Sequence, residues 1–222
     1  MNKTKIIKML EYSGMSYSNN QIIGVDNLVC HVNDKKSDVC YQIRIHKDTL
    51  IIVFRGSDSR KDWSFNLDFC KKVIPYGNLN SKIKIHSGFL SAYKSKNVRN
   101  KIREFVTEKI KRVVVSGHSY GAALAIICAI DLQYNFNDKD YEVIVFGCPR
   151  VGNKFFVESY NRRIFKTLRI ENFGDIIPKL PFVFMGYKHV GACLRIGKNY
   201  FSGLFGKNNH SMQEYYSNIW DA

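Results

Sequence analysis

The 222 residues predict a single α/β domain, residues 1–222, with a mostly parallel sheet and helices on both of its faces. Three observations support this fold class. Short runs of apolar and β-branched residues, at 50–54, 113–115 and 141–146, alternate with segments of helical spacing. These runs are nearly continuous in apolar residues, which is typical of parallel sheets that are buried on both faces. Hydrophobic residues make up 45% of the chain, which excludes a disordered protein.

The sheet is expected to have an antiparallel edge near the start of the chain. Residues 39–46 alternate in part between apolar and polar, and a two-residue turn leads into the apolar run at 50–54. We therefore predict that these two strands pair with each other and form the edge of the sheet.

The other elements follow from apolar spacing. Helical spacing predicts three helices, at residues 3–13, 87–110 and 122–132. Two further strands are expected at 164–170 and 187–196. The polar segment 57–69 indicates a loop or a one-turn helix.

The chain carries 34 Lys and Arg residues against 19 Asp and Glu residues, a net charge of +15. Such a surface attracts polyanions, either nucleic acid or anionic phospholipid. The basic residues are scattered, and no nucleic-acid motif or array of stacking aromatics is recognisable, so no specific nucleic-acid partner is expected. The scattered charges favour a generally basic surface without a particular partner; the alternative is peripheral contact with an anionic membrane surface.

The N-terminus and the cysteines indicate an intracellular protein. The first ten residues lack the apolar run of a signal peptide, and no stretch is long and apolar enough to cross a membrane. Cys30 and Cys40 could form a disulfide if their strands are neighbours, but an intracellular site favours free thiols. None of the six cysteines has the spacing of a zinc site. A glycan on the sequon Asn209-His210-Ser211 would also crowd His210, a candidate catalytic residue.

The segment Gly117-His118-Ser119-Tyr120-Gly121 is the most informative, because it follows a predicted strand and opens a predicted helix. A lone Gly-x-Ser-x-Gly pattern is weak evidence, whereas the strand–turn–helix setting is what a nucleophile elbow needs. A strained backbone there exposes the serine hydroxyl, and the helix N-terminus stabilises negative charge nearby. Both glycines are required, since a side chain at either position would collide with the neighbouring strand or helix. The alternative is an ordinary turn between a strand and a helix.

A nucleophilic serine of this kind needs an acid and then a histidine later in the chain. The two downstream histidines are His189, inside the strand predicted at 187–196, and His210, in a loop before a terminal helical segment. Because a histidine within a strand is more often structural, we predict His210 as the base. Asp175 is the predicted acid, since it lies in a loop at the end of a predicted strand. The less suitable acids lie at a helix end or in a polar connection: Asp131, Asp138 and Asp140.

Seven blocks between residues 38 and 217 resemble, in the same order, the class 3 lipase family of fungal triacylglycerol lipases and their relatives. They are IVFRGS at 52–57, HSGFLSA at 86–92, VVSGHSYGAALA at 114–125, VFGCPRVGN at 145–153, NFGDIIPKLP at 172–181, YKHVG at 187–191 and HSMQEYY at 210–216. Seven blocks in the family's order are far more specific than any one of them. The resemblance implies an α/β-hydrolase fold with Ser119, Asp175 and His210 as the catalytic triad, and it places His189 in a non-catalytic block.

The resemblance also implies an oxyanion hole and a lid. The backbone amides of Ser57 and Tyr120 would bind the oxyanion; otherwise Ser57 is a turn residue at a strand end. Residues 58–67 correspond to the family's lid, in which Trp63 and Phe65 either open toward lipid or pack against the body. The family usually has leucine where this chain has Tyr120, and the tyrosine still offers its backbone amide.

The activity that the resemblance implies is that of a serine carboxylic-ester hydrolase acting on lipids as a lipase, an esterase or a phospholipase. Attack by Ser119 would form an acyl-enzyme that water hydrolyses, and this chemistry needs no metal ion and no cofactor. The alternative is a binding or signalling module that keeps the fold without hydrolysis. The presence of all three triad candidates in their blocks favours the enzyme.

Overall fold

The computed structural model describes residues 2–18, 22–56, 70–74, 78, 80–198 and 209–220. Within these residues the chain forms nine strands, six α-helices and three short 3-10 helices. The strands are β1 (Leu28–Asp34), β2 (Val39–His46), β3 (Thr49–Phe54), β4 (Lys71–Val73), β5 (Lys84–His86), β6 (Arg112–His118), β7 (Asp140–Phe146), β8 (Thr167–Asn172) and β9 (Ala192–Ile196). The α-helices are α1 (Lys3–Met15), α2 (Ser87–Tyr93), α3 (Lys96–Glu104), α4 (Tyr120–Asn135), α5 (Lys154–Arg163) and α6 (Met212–Trp220). The 3-10 helices are Val25–Asn27, Ile177–Lys179 and Val183–Met185.

The larger sheet has the strand order β1-β2-β3-β6-β7-β8-β9, and β4 and β5 form a separate antiparallel pair. Neighbours among β1, β2 and β3 are antiparallel, whereas all pairs from β3 to β9 in this order are parallel. The mostly parallel sheet with an antiparallel edge is therefore confirmed. β1, which lies outside β2 at the edge, is not among the predicted strands, because LVCHVND mixes polar and apolar residues on a partly exposed strand.

Helices cover both faces of the sheet. Successive strand residues point to opposite faces, so a continuous apolar strand contributes side chains to a core on each face. On one face, Ile52 and Val115 belong to a large core with α2, α3, α4 and α5. On the other face, Ile51 and Val114 belong to a second core with α1 and α6. The described helices include none with the length and apolar character needed to cross a bilayer.

The prediction of one continuous helix at 87–110 is wrong, since the chain forms two short helices there, α2 and α3. Ser95 separates them with non-helical backbone angles, φ −49° and ψ 137°. Its hydroxyl donates a 2.8 Å hydrogen bond to Asp34 Oδ2 at the end of β1. The apolar residues after α3, Val106 and Ile110, are buried in the larger core that α2 and α3 also contact. Their apolar spacing therefore arises from burial in that core, although the chain is not helical there.

The strand predicted at 187–196 covers only Ala192–Ile196, and His189 lies before it. Gly191 marks the boundary with a φ of +65°, and a Cβ there would lie 2.5 Å from Thr167 Cγ2. Only glycine allows this close approach together with a left-handed backbone, which interrupts the extended conformation just before β9.

Cys30 and Cys40 lie on the neighbouring strands β1 and β2, but they do not face each other. Cys30 is opposite Ile43, and Cys40 is opposite Asn33. The six cysteines, all of which lie in the described part of the chain, form no disulfide. Within the described ranges, no three or more His, Cys, Asp or Glu side chains are grouped so that they could hold a metal ion.

Candidate active site

Ser119 alone forms the turn between β6 and α4, because β6 runs to His118 and α4 begins at Tyr120. The turn in the strand–turn–helix setting is therefore a single residue. The φ of 58° and ψ of −126° at Ser119 lie in a region that residues other than glycine rarely adopt. This strained turn holds the serine at the carboxyl edge of the sheet and at the N-terminus of a helix, which is the arrangement of a nucleophile elbow.

Gly117 and Gly121 allow this turn to pack tightly between a strand and a helix. A Cβ on Gly117 would lie 2.6 Å from the carbonyl oxygen of Gly121. A Cβ on Gly121 would lie 2.5 Å from the carbonyl oxygens of Phe54 and Arg55 at the end of β3. Carbon and oxygen atoms do not approach this closely without displacing the backbone, so both positions require glycine.

Three side chains from separate parts of the chain meet at this elbow. Nε2 of His210, in the turn before α6, lies 2.7 Å from Ser119 Oγ. Nδ1 of His210 lies 2.8 Å from Oδ2 of Asp175, which follows the end of β8. Ser119 and Asp175 are buried, and His210 is partly buried. The geometry lets Nδ1–H donate to the carboxylate while Nε2 accepts from the serine hydroxyl.

Tyr215 and a backbone amide hold the carboxylate of Asp175. The Tyr215 hydroxyl donates to Oδ2 at 2.7 Å, and the Ile177 N–H donates to Oδ1 at 2.9 Å. Burial, together with the charge of Asp175, raises the pKa of Tyr215 well above its usual value, so this hydroxyl stays protonated. Tyr215 is not among the predicted site residues, and the only sequence signal for it is its place in the same block as His210.

His118 supports His210 from another direction. The two imidazole rings are stacked, with centroids 4.6 Å apart and planes at 29°. Nε2 of His118 lies 2.9 Å from the backbone oxygen of His210, which can only accept, so Nε2 carries a proton. In the neutral ring, Nδ1 then accepts from the Tyr17 hydroxyl at 2.8 Å. Tyr17 follows α1, and nothing in its local sequence indicates this contact.

Gly147 leaves room for the imidazole of His210. It follows β7 with a φ of +55°, and a Cβ there would lie 2.7 Å from Cε1 and 2.9 Å from Nδ1 of His210. The same Cβ would lie 3.1 Å from Asp175 Oδ2. A side chain at this position would therefore push the imidazole away from its carboxylate partner. The available sequence signal is a glycine directly after a buried strand.

We expect Gly147→Ala to lower kcat on a short soluble ester by roughly 100-fold, because a displacement of about 1 Å in a catalytic group can cost this much. Gly24→Ala is the matched control, since Gly24 also has a positive φ, of +94°, but a Cβ there meets nothing within 4 Å. Steady-state kinetics and thermal unfolding of both variants make the comparison. Equal kcat values for the two variants would contradict a role for Gly147 in placing His210.

The family described as Lipase (class 3) matches residues 51–185, more than half of the chain. The chain belongs to the class 3 lipase family. The family assignment made from the seven blocks is therefore confirmed.

The relatives of this chain include both lipases and phospholipases. It is 35% identical over 157 residues to phospholipase A(1) DAD1, chloroplastic, of Arabidopsis thaliana, covering 63% of this chain and 35% of that protein. It is 34% identical over 151 residues to a lipase of Rhizomucor miehei, covering 64% and 40% of the two chains. A solved triacylglycerol lipase, in which a serine protease triad forms the catalytic centre, matches with a TM-score of 0.75 at 26% identity and covers 88% and 80%. The chain thus spans about two fifths or less of the length of these two curated relatives.

The described contacts of His189 do not involve Ser119. Its Nε2 donates to the backbone oxygen of Pro178 at 2.7 Å. Burial, and then the charge of Arg169, lowers its pKa to about 3, so the ring is neutral near pH 7. His189 therefore holds the segment that follows Asp175.

Of the residues predicted for the oxyanion hole, the structure describes Tyr120. It is the first residue of α4, and its ring packs against Phe89 with centroids 5.7 Å apart. Burial raises the pKa of its hydroxyl, so the ring behaves as part of the core while its amide adjoins Ser119. The other predicted residues lie outside the described part of the chain: Ser57, and the lid at 58–67 with Trp63 and Phe65.

Proposed function

We propose that this class 3 lipase hydrolyses carboxylic ester bonds of lipids, with Ser119 as the nucleophile, His210 as the general base and Asp175 as the residue that orients the base. One observation carries the proposal. Ser119 Oγ, His210 and Asp175 form a continuous hydrogen-bonded line at a strained turn, with separations of 2.7 Å and 2.8 Å. A serine at this distance from an oriented imidazole is the arrangement that activates a hydroxyl for attack.

The reaction proceeds in two halves. Ser119 Oγ attacks the ester carbonyl carbon while Nε2 of His210 takes the hydroxyl proton, and Asp175 stabilises the imidazolium. The tetrahedral intermediate collapses as Nε2–H gives its proton to the leaving alkoxide, which departs as an alcohol. Water then attacks the acyl-enzyme with His210 again as the base, and the fatty acid leaves with Ser119 regenerated.

Two backbone amides hold the oxyanion in this proposal, those of Tyr120 and Ser57. The support for Tyr120 is its position at the first residue of α4, where helix amides are free of intrahelical partners. The support for Ser57 is its place at the end of the IVFRGS block, which begins within β3. The end of β3 is close to the start of α4, since a Cβ on Gly121 would lie 2.5 Å from the carbonyl oxygens of Phe54 and Arg55.

The substrate class includes both acylglycerols and phospholipids, since one relative is named as a lipase and another as a phospholipase A(1). The net charge of +15 favours anionic lipid. The direct test is a series of acylglycerols, phospholipids and soluble esters of increasing acyl length, with Ser119→Ala as the blank. Serine-dependent release of fatty acid supports the proposal, and its absence across the whole series would point to a binding module that keeps the fold.

We expect hydrolysis to be faster on vesicles that contain anionic lipid than on neutral vesicles, with an advantage that shrinks as salt rises. The reason is screening, because the Debye length falls from about 10 Å at 0.1 M to about 3 Å at 1 M salt. A lid at 58–67 adds to this expectation: Trp63→Ala should lower the rate on vesicles more than the rate on a short soluble ester. Initial rates on both substrates at two salt concentrations measure it. Equal rates on neutral and anionic vesicles at low salt would contradict a role for electrostatic attraction in hydrolysis at the lipid surface.

We also propose that the protein acts inside the cell. The support comes from the sequon at Asn209, whose Nδ2 atom would carry any glycan. That atom packs so closely on Gly174 that a Cβ there would lie 2.4 Å away, and the next residue is His210. A glycan at this place would have to displace the loop that carries Asp175. Mass spectrometry of the native protein, with an unmodified Asn209 expected, tests this.

A further inference from the structure

The segment after Asp175 carries an exposed apolar protrusion. Phe182, Val183 and Phe184 are 43%, 57% and 87% exposed, and we call these three residues the aromatic cap. The rings of Phe182 and Phe184 are stacked, with centroids 5.3 Å apart and planes at 10°. Large apolar side chains that stack on each other in the open present a contiguous apolar surface, which is typical of a site for protein or membrane contact.

Beside this protrusion lies a pocket of about 730 Å³ that is lined by lysines. Five lysines from four parts of the chain contribute to it: Lys71, Lys82, Lys84, Lys154 and Lys188. We call this the lysine pocket. Asn80, Ser81 and Asn153 add polar groups to its wall, and none of the described residues that line it is acidic. A concave surface with this composition suits an oxyanion such as a phosphate group.

The charges of the lysine pocket are not neutralised by the ion pairs of the described residues, none of which includes these five lysines. Burial, and then the charge of Lys84, lowers the pKa of Lys71. Lys82 and Lys154 both lie over the ring of Phe155, at 5.8 Å and 4.9 Å from its centroid. The pocket therefore concentrates positive charge that an anion would relieve.

The aromatic cap and the lysine pocket are joined by direct contacts. Nζ of Lys71 donates to the backbone oxygen of Met185, next to the cap, and lies 4.4 Å from the centroid of the Tyr187 ring. Gly186 itself lines the pocket. The base of the cap is held by Arg150, whose Nη1 donates to the backbone oxygen of Pro181 at 2.9 Å. One short segment, residues 182–188, thus presents an apolar tip and part of a cationic wall, and it begins seven residues after Asp175.

We propose that the aromatic cap and the lysine pocket form one docking surface for an anionic phospholipid bilayer, in which the cap enters the interface and the pocket binds headgroup phosphates. The inference rests on the proposed function for its choice of a lipid partner. Charge complementarity and the adjoining apolar tip favour a bilayer over a free anion, because a soluble phosphate offers nothing for exposed phenylalanines to contact. Docking here would bring the loop of Asp175, and with it the elbow, to the lipid surface.

The test uses the whole protein and measures co-sedimentation with vesicles of phosphatidylcholine alone and of phosphatidylcholine with 30 mol% phosphatidylglycerol, an amount chosen to be about that of an anionic leaflet. The cap variant is Phe182→Ser with Phe184→Ser, and the pocket variant is Lys84→Ala with Lys188→Ala. Matched controls come from the amino edge of the sheet, far from the elbow: Phe165→Ser, exposed at 77%, and Lys109→Ala with Lys111→Ala. Circular dichroism confirms that each variant is folded.

We expect the pocket variant to bind anionic vesicles about 30-fold more weakly, since each lysine near such a surface contributes about a factor of five. The cap variant should lose about tenfold or more on the same vesicles. The controls should change by less than about threefold, because surface potential acts only within a Debye length.

Three outcomes would overturn the docking surface. Equal losses in the pocket variant and the amino-edge lysine control would mean that net charge alone drives binding. Loss in the pocket variant with full binding by the cap variant would mean that the aromatic cap does not enter the interface and that the lysines bind the vesicles alone. Loss of binding in the cap variant alone would mean that the lysine pocket does not bind the headgroups of the anionic vesicles. Hydrolysis of a soluble ester by the wild-type protein is measured in parallel, so that failure of docking and failure of the proposed activity are told apart.

Discussion

Ser119→Ala is expected to lower ester hydrolysis by about 10⁴-fold or more, because removal of the nucleophile disables the triad as a unit. The fold should survive, since alanine keeps the Cβ at a turn whose packing depends on Gly117 and Gly121. The measurement is the initial rate on a soluble ester, with thermal unfolding as the check on folding. Residual activity within tenfold of the wild-type rate would mean that the nucleophile lies elsewhere.

His210→Ala should lose as much activity as Ser119→Ala, because without the imidazole the serine hydroxyl has no base to take its proton. The double variant should be no worse than either single one, since the two groups act together. His189→Ala is the natural comparison, because that histidine is partly buried, neutral and hydrogen-bonded to the backbone of Pro178. We expect it to keep most of the activity per folded molecule, as measured by rate and circular dichroism together. His189→Gln preserves a donor if the alanine variant unfolds, and loss of activity in a folded His189→Gln with activity retained in His210→Ala would reverse the assignment.

Much of the fold can be predicted from the sequence where the determining interactions are local. The strand before Ser119 and the helix after it are fixed by a β-branched run and by an apolar Ala/Ile/Leu segment, and both elements are confirmed. The requirement for glycine at positions 117 and 121 could also be predicted from the sequence, because the atoms that a side chain would meet there belong to the neighbouring strand and helix. The break at Ser95 could not be predicted, since it involves a hydrogen bond to Asp34 on the edge strand.

The candidate site also contains some residues that the sequence indicates and others that only the folded chain brings into place. Ser119, Asp175 and His210 stand out in the sequence because each follows or precedes an element end and carries a reactive group. Tyr215 and His118 do not stand out, because a tyrosine on an amphipathic helix and a histidine at a strand end have many structural explanations. Only the assembled chain brings the Tyr215 hydroxyl to Asp175 and stacks His118 on His210.

Labelling with a fluorophosphonate, followed by mass spectrometry of the peptides, tests the central claim most directly. The reagent phosphonylates a serine only when a neighbouring base activates its hydroxyl. We predict one label per chain, on Ser119, at a rate that falls sharply in His210→Ala and is unchanged in Gly24→Ala. A label on another serine, or an unlabelled Ser119 in folded protein, would contradict the account.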